Sequence, residues 1–284
     1  MTERTFLSLL TGSFATPAAE NPTVAVMEAA YRHHGIDARY LNCEVAPKDL
    51  RHAVLGARAM GWAGFNCSIP HKVAVIDHLD QLAASASIIA AVNCVVIRDE
   101  LMVGENTDGK GFVTALRTVQ DPAGMRVTVL GAGGAARAIA VETALAGSAH
   151  VTVLARDRSR AQELAALVHD GTGVDAAGLG WAPGTRIPDG TDVLVNATSV
   201  GLHPDVDALV DVDLDSLDAG TLVADVIPNP PRTLFLREAD ERGCRTLDGL
   251  GMLVAQAAVN IELWTGVSAD QSVMRRTLAE IFGG

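Results

Sequence analysis

The sequence predicts an α/β protein of two domains, and three observations support that prediction. The chain has 284 residues, which exceeds the usual domain size of about 100–200 residues. Hydrophobic residues make up 49% and charged residues 20%, a globular composition with enough apolar material for two cores. Strand-like and helix-like apolar segments alternate along two separate stretches of the chain. Such alternation indicates mostly parallel sheets with helices on both faces.

The first of these stretches occupies the N-terminal part of the chain. Its apolar spacing predicts strand, helix, strand, helix and strand at residues 5–10, 22–34, 38–41, 47–60 and 62–65. The first helix begins behind Asn21 and ends before Gly35, both of which are residue types that favour helix ends. This part is predicted to form an α/β domain of its own.

The second stretch predicts a separate, doubly wound parallel sheet. Its strands are predicted at residues 126–130, 150–154, 192–195 and 221–224, and its helices at 135–146 and 159–168. Residues 171–190 are rich in Gly and Pro and predict a loop with at most a short strand. Helices predicted at 250–265 and 272–282 have no later element to pack against, so we expect them to return to the first domain. The predicted domains are therefore 1–107 with 250–284, and 108–249.

Composition and charge restrict the classes of partner. The net charge of −12 and an isoelectric point near 5.0 argue against nucleic acid, which requires clustered Lys and Arg. Apolar runs such as residues 88–92 are far shorter than the ~20 residues of a membrane span. The first twenty residues lack the pattern of a secretory signal, which predicts a cytoplasmic location. A small-molecule substrate is favoured.

The four cysteines predict neither a metal site nor a catalytic thiol. Cys43, Cys67, Cys94 and Cys244 are widely separated, and no C-x-x-C pair or His at ligand spacing accompanies them. We expect reduced cysteines that pack as small hydrophobic residues, and no bound metal.

A dinucleotide-binding turn is predicted at residues 131–136. The letters GAGGAA match G-x-G-x-x-G/A, directly after an apolar strand and directly before an Ala-rich helix. Gly131 would make the tight turn, and Gly133 would let the backbone approach a pyrophosphate. Gly134 and Ala135 would then present helix N-terminal N–H groups to the phosphates. This context favours a nicotinamide dinucleotide cofactor.

The charges that follow the next strand bear on the choice between NAD and NADP. Arg156 and Arg160 would hold a 2′-phosphate, whereas Asp157 would repel that phosphate or accept hydrogen bonds from free ribose hydroxyls. Solvated loop charges are the alternative interpretation of all three residues. Two arginines against one aspartate favour NADP slightly over NAD.

Seven short segments together resemble the shikimate dehydrogenase family. They are NCSIPHK at 66–72, AVNC at 91–94, ENTDG at 105–109, GAGGAA at 131–136, NATSVGL at 196–202, DGLGMLVAQ at 248–256 and ELWTG at 262–266. The order of the segments is that of the family. The resemblance implies a substrate domain built from both chain ends, an inserted Rossmann-type domain and an active site in the cleft between them.

The resemblance also implies residue roles. Lys72 would be the catalytic acid/base and Asp108 its partner, in keeping with the proton that an alkoxide needs after hydride transfer to a ketone. Substrate hydrogen bonds would come from Asn21, Ser68, Asn93 and Gln256. Further cofactor contacts would come from Thr198, Val226, Gly249 and Met252.

Structural roles remain the alternative for several of these residues. Lys72 could be a solvated lysine at a helix start, and Asp108 could cap the helix that reaches to Val119. Asn93 and Gln256 could be buried amides that are satisfied within the fold.

The sequence departs from the family where the substrate carboxylate would bind. The family's Ser-x-Ser-Pro aligns with residues 19–22, where Ala19 removes one hydroxyl and Asn21 replaces the other by an amide. A family tyrosine falls on Pro228. Each lost donor to a charged group costs on the order of 1.5–3 kcal/mol, so two losses weaken carboxylate binding by roughly 10² or more.

These observations predict an NAD(P)-dependent oxidoreductase that acts on shikimate or a close analogue such as quinate, aminoshikimate or a cyclitol. One alternative is a non-catalytic NAD(P)-binding regulator with the same fold, although Lys72 and Asp108 are both retained. Another is a folate dehydrogenase, but an aromatic content of 4% is low for the cleft that folate needs. A monomer or a homodimer is expected.

Overall fold

The structure is a computed structural model that describes residues 6–282. Its contacts divide the chain into two compact units, one containing the residues up to Thr107 together with Ala257–Ile281, and the other containing Asp108–Gln256. The sequence-based domain boundaries agree at residue 107 but place the second boundary after residue 249 rather than after Gln256. The assignment of these units as the substrate and cofactor domains stays a prediction. No helix within residues 6–282 is long and apolar enough to cross a membrane.

The first unit contains a six-stranded sheet with strand order β2-β1-β3-β5-β6-β4. Its strands are β1 Leu9–Ala15, β2 Ala38–Glu44, β3 Gly64–Cys67, β4 Gln81–Leu82, β5 Cys94–Arg98 and β6 Leu101–Glu105. Strands β1, β2 and β3 are parallel, which confirms the predicted alternation. Strand β5 runs antiparallel to both β3 and β6, which the sequence patterns did not predict.

Helices connect these strands and supply most of the remaining core. They are α1 Thr23–His33, α2 Leu50–Ala59, α3 His71–Ala74 and α4 Ala84–Ile89, with 3₁₀ turns at Pro47–Asp49 and Val75–His78. Phe14 stacks on Phe65 with ring centroids 4.4 Å apart, and Trp62 packs beside them. This aromatic cluster joins the end of β1 to β3 and to the residues that precede β3.

The first strand lies further along the chain than predicted. The predicted strand 5–10 begins at Thr5, which lies outside the described residues, whereas β1 continues to Ala15. Polar residues in β1 are tolerated because the buried Thr11 hydroxyl lies 2.9 Å from the Tyr31 hydroxyl and donates to the Arg39 carbonyl. Gly12 fits because a Cβ there would lie 2.4 Å from the Leu41 carbonyl oxygen.

The second unit contains a fully parallel six-stranded sheet with strand order β14-β13-β11-β7-β8-β9. The strands in this unit are β7 Arg126–Leu130, β8 His150–Ala155, β9 Ala176–Gly180, β10 Thr185–Arg186, β11 Val193–Asn196, β12 Val212–Asp213, β13 Leu222–Asp225 and β14 Arg245–Leu247. Read from β9, this is the order of the doubly wound dinucleotide-binding fold. The predicted fold class is confirmed.

Four of the helices that follow Asn106 lie close to the predicted helices at 135–146, 159–168, 250–265 and 272–282. The helices in this part of the chain are α5 Thr107–Arg117, α6 Gly134–Leu145, α7 Arg158–Thr172, α8 Leu234–Glu241, α9 Gly249–Thr265 and α10 Gln271–Phe282, with a 3₁₀ turn at Leu214–Ser216. From Ala257 onwards, α9 belongs to the first unit, where the Trp264 indole donates to the Val95 carbonyl. Strands β10 and β12 form a separate parallel pair beside the main sheet.

The Gly- and Pro-rich segment 171–190 is more regular than predicted. Residues Ala176–Gly180 form the edge strand β9, which pairs with β8 along its length. Gly178 allows this pairing because a Cβ there would lie 2.4 Å from the Ala161 backbone of α7. The glycines that hid the strand signal are therefore needed for close packing of α7 on β9.

Candidate cofactor and substrate sites

The strand order of the second sheet reverses between β7 and β11, and ligands of such sheets bind at this point. Gly131 directly follows β7 and adopts φ +109°, a conformation that favours glycine. A Cβ at Gly131 would lie 3.1 Å from Thr198 Cγ2 and 3.2 Å from the Ala197 carbonyl oxygen, both just beyond β11. The turn and the β11 loop therefore approach each other closely enough to require glycine.

The next two glycines of the turn face open space. Gly133 caps α6 in an extended conformation, and no described atom lies within 4 Å of a Cβ built on Gly133 or Gly134. The first N–H groups of α6 thus lie beside room for an anionic group, which suits a cofactor pyrophosphate. Ala135 follows within the first turn of α6.

Two neighbouring cavities lie at this edge of the sheet. The first, which we call the turn cavity, has a volume of about 330 Å³ and is lined by Gly131, Gly133, Arg156, Asp157, Arg160, Thr198 and Trp181, among others. The second, the tryptophan cavity, has a volume of about 310 Å³ and is lined by Arg156, Trp181, Pro183, Ser199, Leu209 and Val210, among others. Six predicted cofactor residues therefore line the turn cavity. Val226, Gly249 and Met252 lie outside the lining of these two cavities.

Asp157 is held as a fixed charge at the start of α7. Its Oδ1 accepts hydrogen bonds from the Ser159 N–H at 2.9 Å, the Ser159 hydroxyl at 2.6 Å and the Arg160 N–H at 3.4 Å. These hydrogen bonds lower the pKa of Asp157, the Ser159 hydroxyl most strongly. The Arg160 guanidinium reaches across to the Ala132 carbonyl at 3.4 Å, while Arg156 is exposed. Both signs of charge thus border the turn cavity.

A buried hydrogen-bond network through Asn196 and Asp225 orients Thr198. The Asn196 Oδ1 accepts from the Thr198 N–H at 3.1 Å and from its hydroxyl at 2.7 Å. The Asn196 Nδ2 donates to Asp225 at 3.2 Å, and Asp225 also accepts from the Thr233 hydroxyl at 2.8 Å and the Ile227 N–H at 3.0 Å. Burial raises the pKa of Asp225 to about 6, although these donors oppose the shift.

Val226 and Gly249 lie close together beyond β13. A Cβ at Gly249 would lie 2.3 Å from the Ile227 carbonyl oxygen and 2.6 Å from the Val226 carbonyl carbon. Glycine is therefore required where α9 begins, because a side chain there would collide with the chain that leaves β13. Their predicted contacts with the cofactor stay predictions, as does that of Met252.

In the first unit, Lys72 is the second residue of α3, which begins shortly after β3 ends at Cys67. It is half-buried, and its carbonyl accepts from the Val92 N–H at 2.7 Å. The same loop contains Ser68, whose N–H donates to the Phe14 carbonyl at 3.1 Å. Ser68 and Lys72 are thereby tied to β1 and to the segment before Asn93. Their predicted roles stay predictions.

Burial accounts for the cysteine beside this loop. Cys67 is 2% exposed, and burial raises its pKa to about 12 even though Lys72 lowers it. All four cysteines are free thiols. A thiol with so high a pKa is a poor nucleophile, which agrees with the prediction for Cys67.

Asn93 is buried and oriented by Thr107. The Thr107 N–H donates to the Asn93 Oδ1 at 2.6 Å, and the Thr107 hydroxyl lies 3.2 Å from the same oxygen. The Asn93 carboxamide oxygen thus faces Thr107, and the Nδ2 is the donor side of the amide. Donors suit a role toward a carbonyl or hydroxyl oxygen.

Asn21, in the segment that departs from the family, forms a neutral cluster with Ser13 of β1 and Asn42 of β2. The Asn21 Nδ2 donates to the Ser13 hydroxyl at 3.2 Å, and that hydroxyl donates to the Asn42 Oδ1 at 2.9 Å. The Asn42 Nδ2 donates to the Asn21 carbonyl at 3.0 Å, and the Asn21 Oδ1 accepts from the Thr23 N–H at 3.1 Å. The side-chain oxygen, the side-chain nitrogen and the carbonyl of Asn21 therefore all make hydrogen bonds within the fold.

Further neutral groups continue from β2 to β3. The buried Tyr40 hydroxyl donates to the Asn66 Oδ1 at 2.8 Å, and the Asn66 Nδ2 donates to the Asn93 carbonyl at 2.9 Å. Ala19 is exposed and has no polar side-chain atom, and Pro228 is half-buried.

Two predicted residues in the second unit have clear local settings. Asp108 is the second residue of α5, so the alternative that it is the N-cap is wrong, although a carboxylate in the first turn is favourable. The Gln256 Nε2 donates to the Leu253 carbonyl of its own helix at 3.1 Å. Gly111 lets the two helices touch, since a Cβ there would lie 2.6 Å from the Gln256 N.

The sequence patterns missed several residues of these regions. Trp181 follows β9, in a segment predicted as a loop with a possible short strand. Ser13 and Asn42 lie beyond the predicted ends of β1 and β2, and Tyr40 lies in a strand judged only by apolar spacing. Polar residues at buried strand positions were the available signal, because they must find partners. Among the described residues, no cluster of three or more His, Cys, Asp or Glu side chains suits a metal ion.

Known proteins resemble the chain in sequence and in fold. Sequence profiles of the shikimate dehydrogenase substrate binding domain and the shikimate 5′-dehydrogenase C-terminal domain match residues 14–95 and 249–279. Shikimate dehydrogenase (NADP(+)) of Shouchella clausii (strain KSM-K16) is 41% identical over 94% of this chain and 96% of that protein.

Two crystal structures are similar over nearly the whole chain. Ligand-free 5-ketofructose reductase of Gluconobacter sp. strain CHM43 is 57% identical, with a TM-score of 0.95, covering 98% of this chain and 100% of that one. Shikimate 5-dehydrogenase from Listeria monocytogenes, in complex with shikimate and NAD, is 32% identical, with a TM-score of 0.90 and coverages of 98% and 99%.

Proposed function

Because the chain belongs to the shikimate dehydrogenase family of NAD(P)-dependent oxidoreductases, we propose that it uses NADPH to reduce a ketone of a small, uncharged, polyhydroxylated compound. The compound that fits best is 5-ketofructose, the substrate named for a relative that is 57% identical. The observation that carries this choice is the neutral cluster, whose Asn21 stands where the resemblance implies a hydroxyl for a substrate carboxylate.

A carboxylate needs donors that the rest of the fold leaves available. Asn21 donates to Ser13, and Ser13 donates in turn to Asn42, so both residues spend donors on neighbours. Ala19 and Pro228 have no side-chain donor. A substrate that carries hydroxyl groups there can both donate and accept, and it imposes no cost of burying an unpaired charge.

The proposed chemistry converts a ketone to a secondary alcohol. When bound, NADPH supplies the hydride that the carbonyl carbon gains. Lys72, as an ammonium, donates the proton that the carbonyl oxygen gains, and it stabilises the negative charge that develops there. Lys72 then recovers a proton from solvent, with Asp108 as its proposed partner. The Asn93 Nδ2 donates to the reacting oxygen or to a neighbouring hydroxyl.

The glycine turn and the cations Arg156 and Arg160 would hold the cofactor. The turn cavity has room for a pyrophosphate beside the first N–H groups of α6, so the residues present fit the group. The two arginines suit a 2′-phosphate, and many relatives use NADP.

Interconversion of 3-dehydroshikimate and shikimate, or the corresponding reaction of quinate, is the second candidate. It is favoured by the curated relatives, which are shikimate dehydrogenases at about 40% identity over most of the chain. Ser68, Asn93 and Gln256, the predicted ligands of ring hydroxyls, are all present. The two candidates differ chiefly at the end of the substrate.

A substrate panel decides between them. The purified protein is assayed with NADPH and with NADH against 5-ketofructose, 3-dehydroshikimate and 3-dehydroquinate, and reduced nicotinamide is followed by absorbance. We expect the highest kcat/KM with 5-ketofructose and NADPH. A higher kcat/KM with 3-dehydroshikimate would establish the second candidate. If wild type and Lys72→Ala both fail to reduce any of these ketones, the result would favour the non-catalytic regulator.

We also propose that the protein acts in the cytoplasm as a monomer or a homodimer. The acidic composition and the small polar substrate support this arrangement. Light scattering coupled to size-exclusion chromatography would measure the mass, and a mass above that of two chains would contradict the proposal.

A further inference from the structure

Trp181 borders both cavities of the second unit, although the sequence patterns gave no sign of it. It directly follows β9, at the same edge of the sheet as the glycine turn. Trp181, Arg156, Thr198 and Ser199 line both the turn cavity and the tryptophan cavity. The indole thus lies where the two spaces meet.

The indole is fixed in place by contacts on several sides. The Trp181 backbone N–H donates to the Ala155 carbonyl at 2.9 Å, and its Nε1 donates to the Asp211 carbonyl at 2.7 Å. The Asp211 carboxylate in turn accepts from the Gly184 N–H at 3.1 Å. The indole packs against a buried cluster that includes Val210 and yet remains partly exposed. The indole is therefore held in place while it lines both cavities.

The two cavities differ in chemistry. The turn cavity contains the glycine turn, the N-terminus of α6 and the charges of Asp157 and Arg160, which suit phosphates and ribose. The tryptophan cavity adds Pro183, Leu209 and Val210, which are apolar. Its volume of about 310 Å³ and its aromatic wall suit a flat heteroaromatic ring.

We propose that Trp181 is the surface on which the adenine ring of the cofactor stacks, in the tryptophan cavity. This inference rests on the use of NAD(P) by the family but not on the identity of the reduced substrate. Arg156 lies on the same cavity and adds a guanidinium plane or a phosphate contact. The hydrogen bond to the Asp211 carbonyl holds the indole in the stacking orientation.

Binding of 2′,5′-ADP, which has the adenosine part but no nicotinamide, tests the proposal directly. The chain has three tryptophans, and Trp62 and Trp264 lie in the other unit, so indole fluorescence can be assigned by substitution. We expect 2′,5′-ADP to quench the fluorescence of the wild type and of Trp62→Phe, but not that of Trp181→Phe. Quenching that persists in Trp181→Phe would overturn the proposal.

Calorimetry separates stacking from simple packing. Because stacking of one base contributes about 1–3 kcal/mol, Trp181→Leu should weaken 2′,5′-ADP binding by about 10-fold or more. Trp181→Phe retains an aromatic face and should stay within about 3-fold of wild type. Equal weakening by both variants would overturn stacking and leave a structural role for the indole.

Reduced nicotinamide mononucleotide is the matched control, because it lacks adenine. Turnover with this compound should be the same in wild type and Trp181→Leu, whereas KM for NADPH should rise by about 10-fold in the variant. A similar loss with both compounds would overturn the proposal. Failure of the 5-ketofructose assignment would leave the 2′,5′-ADP result unchanged, so the two hypotheses fail separately.

Discussion

The turn cavity and the neutral cluster are built from opposite kinds of residue. The turn cavity is bordered by Arg156, Asp157 and Arg160, and it is supported by the buried carboxylate of Asp225. The neutral cluster consists of a hydroxyl and two amides that hydrogen-bond to one another. The first region carries charges that suit an anionic cofactor, whereas the second lacks the hydroxyl donors that the family resemblance implies for an anionic substrate.

Under the proposed function, this difference would let specificity change while the chemistry is retained. A cofactor shared with the family places the same physical demand on its binding residues, which is to bind phosphates. The proposed substrate carries no charge, so it places a different demand on the residues at the substrate end. Extra donors there would then be left unpaired, and internal hydrogen bonds such as those of Asn21 remove that cost.

The largest expected effect concerns Lys72, which both candidate functions use. Lys72→Ala should lower kcat by about 10²–10⁴, because the ammonium acts on charge that develops only in the transition state. Cofactor affinity should be nearly unchanged. Steady-state kinetics and a cofactor titration measure the two quantities. Lys48→Ala, at an exposed lysine, is the control and should match wild type. A change confined to KM would make Lys72 a binding residue instead.

The buried carboxylate gives the second unit a pH dependence that the neutral cluster lacks. The folded-state pKa of Asp225 is raised to about 6 from its ordinary 3.8, so its contribution to stability is present below pH 3.8 and lost as pH rises through about 6. Between pH 4.5 and 7.5, the free energy of unfolding of wild type should fall relative to Asp225→Asn by about 2 kcal/mol.

Denaturant unfolding followed by tryptophan fluorescence measures this quantity, because Trp181 lies in the second unit and Trp62 and Trp264 lie in the first. Asn42→Ala, in the neutral cluster, is the matched control, and its difference from wild type should be the same at both pH values. An equal difference between wild type and Asp225→Asn at both pH values would contradict the raised pKa of Asp225.

The sequence brought together residues that line the turn cavity but not the residues of the neutral cluster, for physical reasons. In dinucleotide-binding turns the spacing of the glycines is fixed, because the backbone must pass close to a phosphate. Gly131 also lies close to Thr198. Constraints of this kind can be recognised in the sequence. The neutral cluster depends on pairing between β1, β2 and the start of α1, which no local pattern encodes. The Trp181 surface was missed because glycines in β9 hid the strand before it.

Restoring the family hydroxyls would test the neutral cluster. Ala19→Ser combined with Asn21→Ser should raise kcat/KM for shikimate by about 10-fold, because each new hydroxyl can donate to a carboxylate. Activity toward 5-ketofructose should not increase, since that substrate has no carboxylate. Oxidation of shikimate with NADP and reduction of 5-ketofructose with NADPH measure the two effects.

Ala19→Ser alone is the control for this experiment, because it leaves the hydrogen bonds of Asn21 intact. It should give part of the gain on shikimate without loss of stability. If the double variant loses activity on shikimate, Asn21 is itself a ligand for the natural substrate, and the predicted role of a restored hydroxyl is wrong.

A smaller effect is expected at Arg156, which lines the turn cavity. Arg156→Ala should weaken NADP binding by about 10-fold and NAD binding less, because only NADP loses a charge-assisted contact with its 2′-phosphate. Calorimetric titration with both cofactors measures the difference. Arg158→Ala, an exposed arginine outside the lining of both cavities, is the control. Equal weakening of NADP and NAD would leave Arg156 as a partner of adenine alone.

The smallest expected effect belongs to Asp157, the carboxylate beside those arginines. Thr can also accept the N-cap hydrogen bonds that Asp157 receives from Ser159 and Arg160, so Asp157→Thr should leave stability nearly unchanged. It removes a negative charge that repels a 2′-phosphate, and because the site is exposed, the preference for NADP over NAD should rise by about 3-fold. The ratio of kcat/KM for the two cofactors measures that preference. Asp157→Ala separates the two roles, since it should give the same cofactor shift with a larger loss of stability. A shift toward NAD in Asp157→Thr would show that the carboxylate aids NADP binding, by holding Arg160 in place.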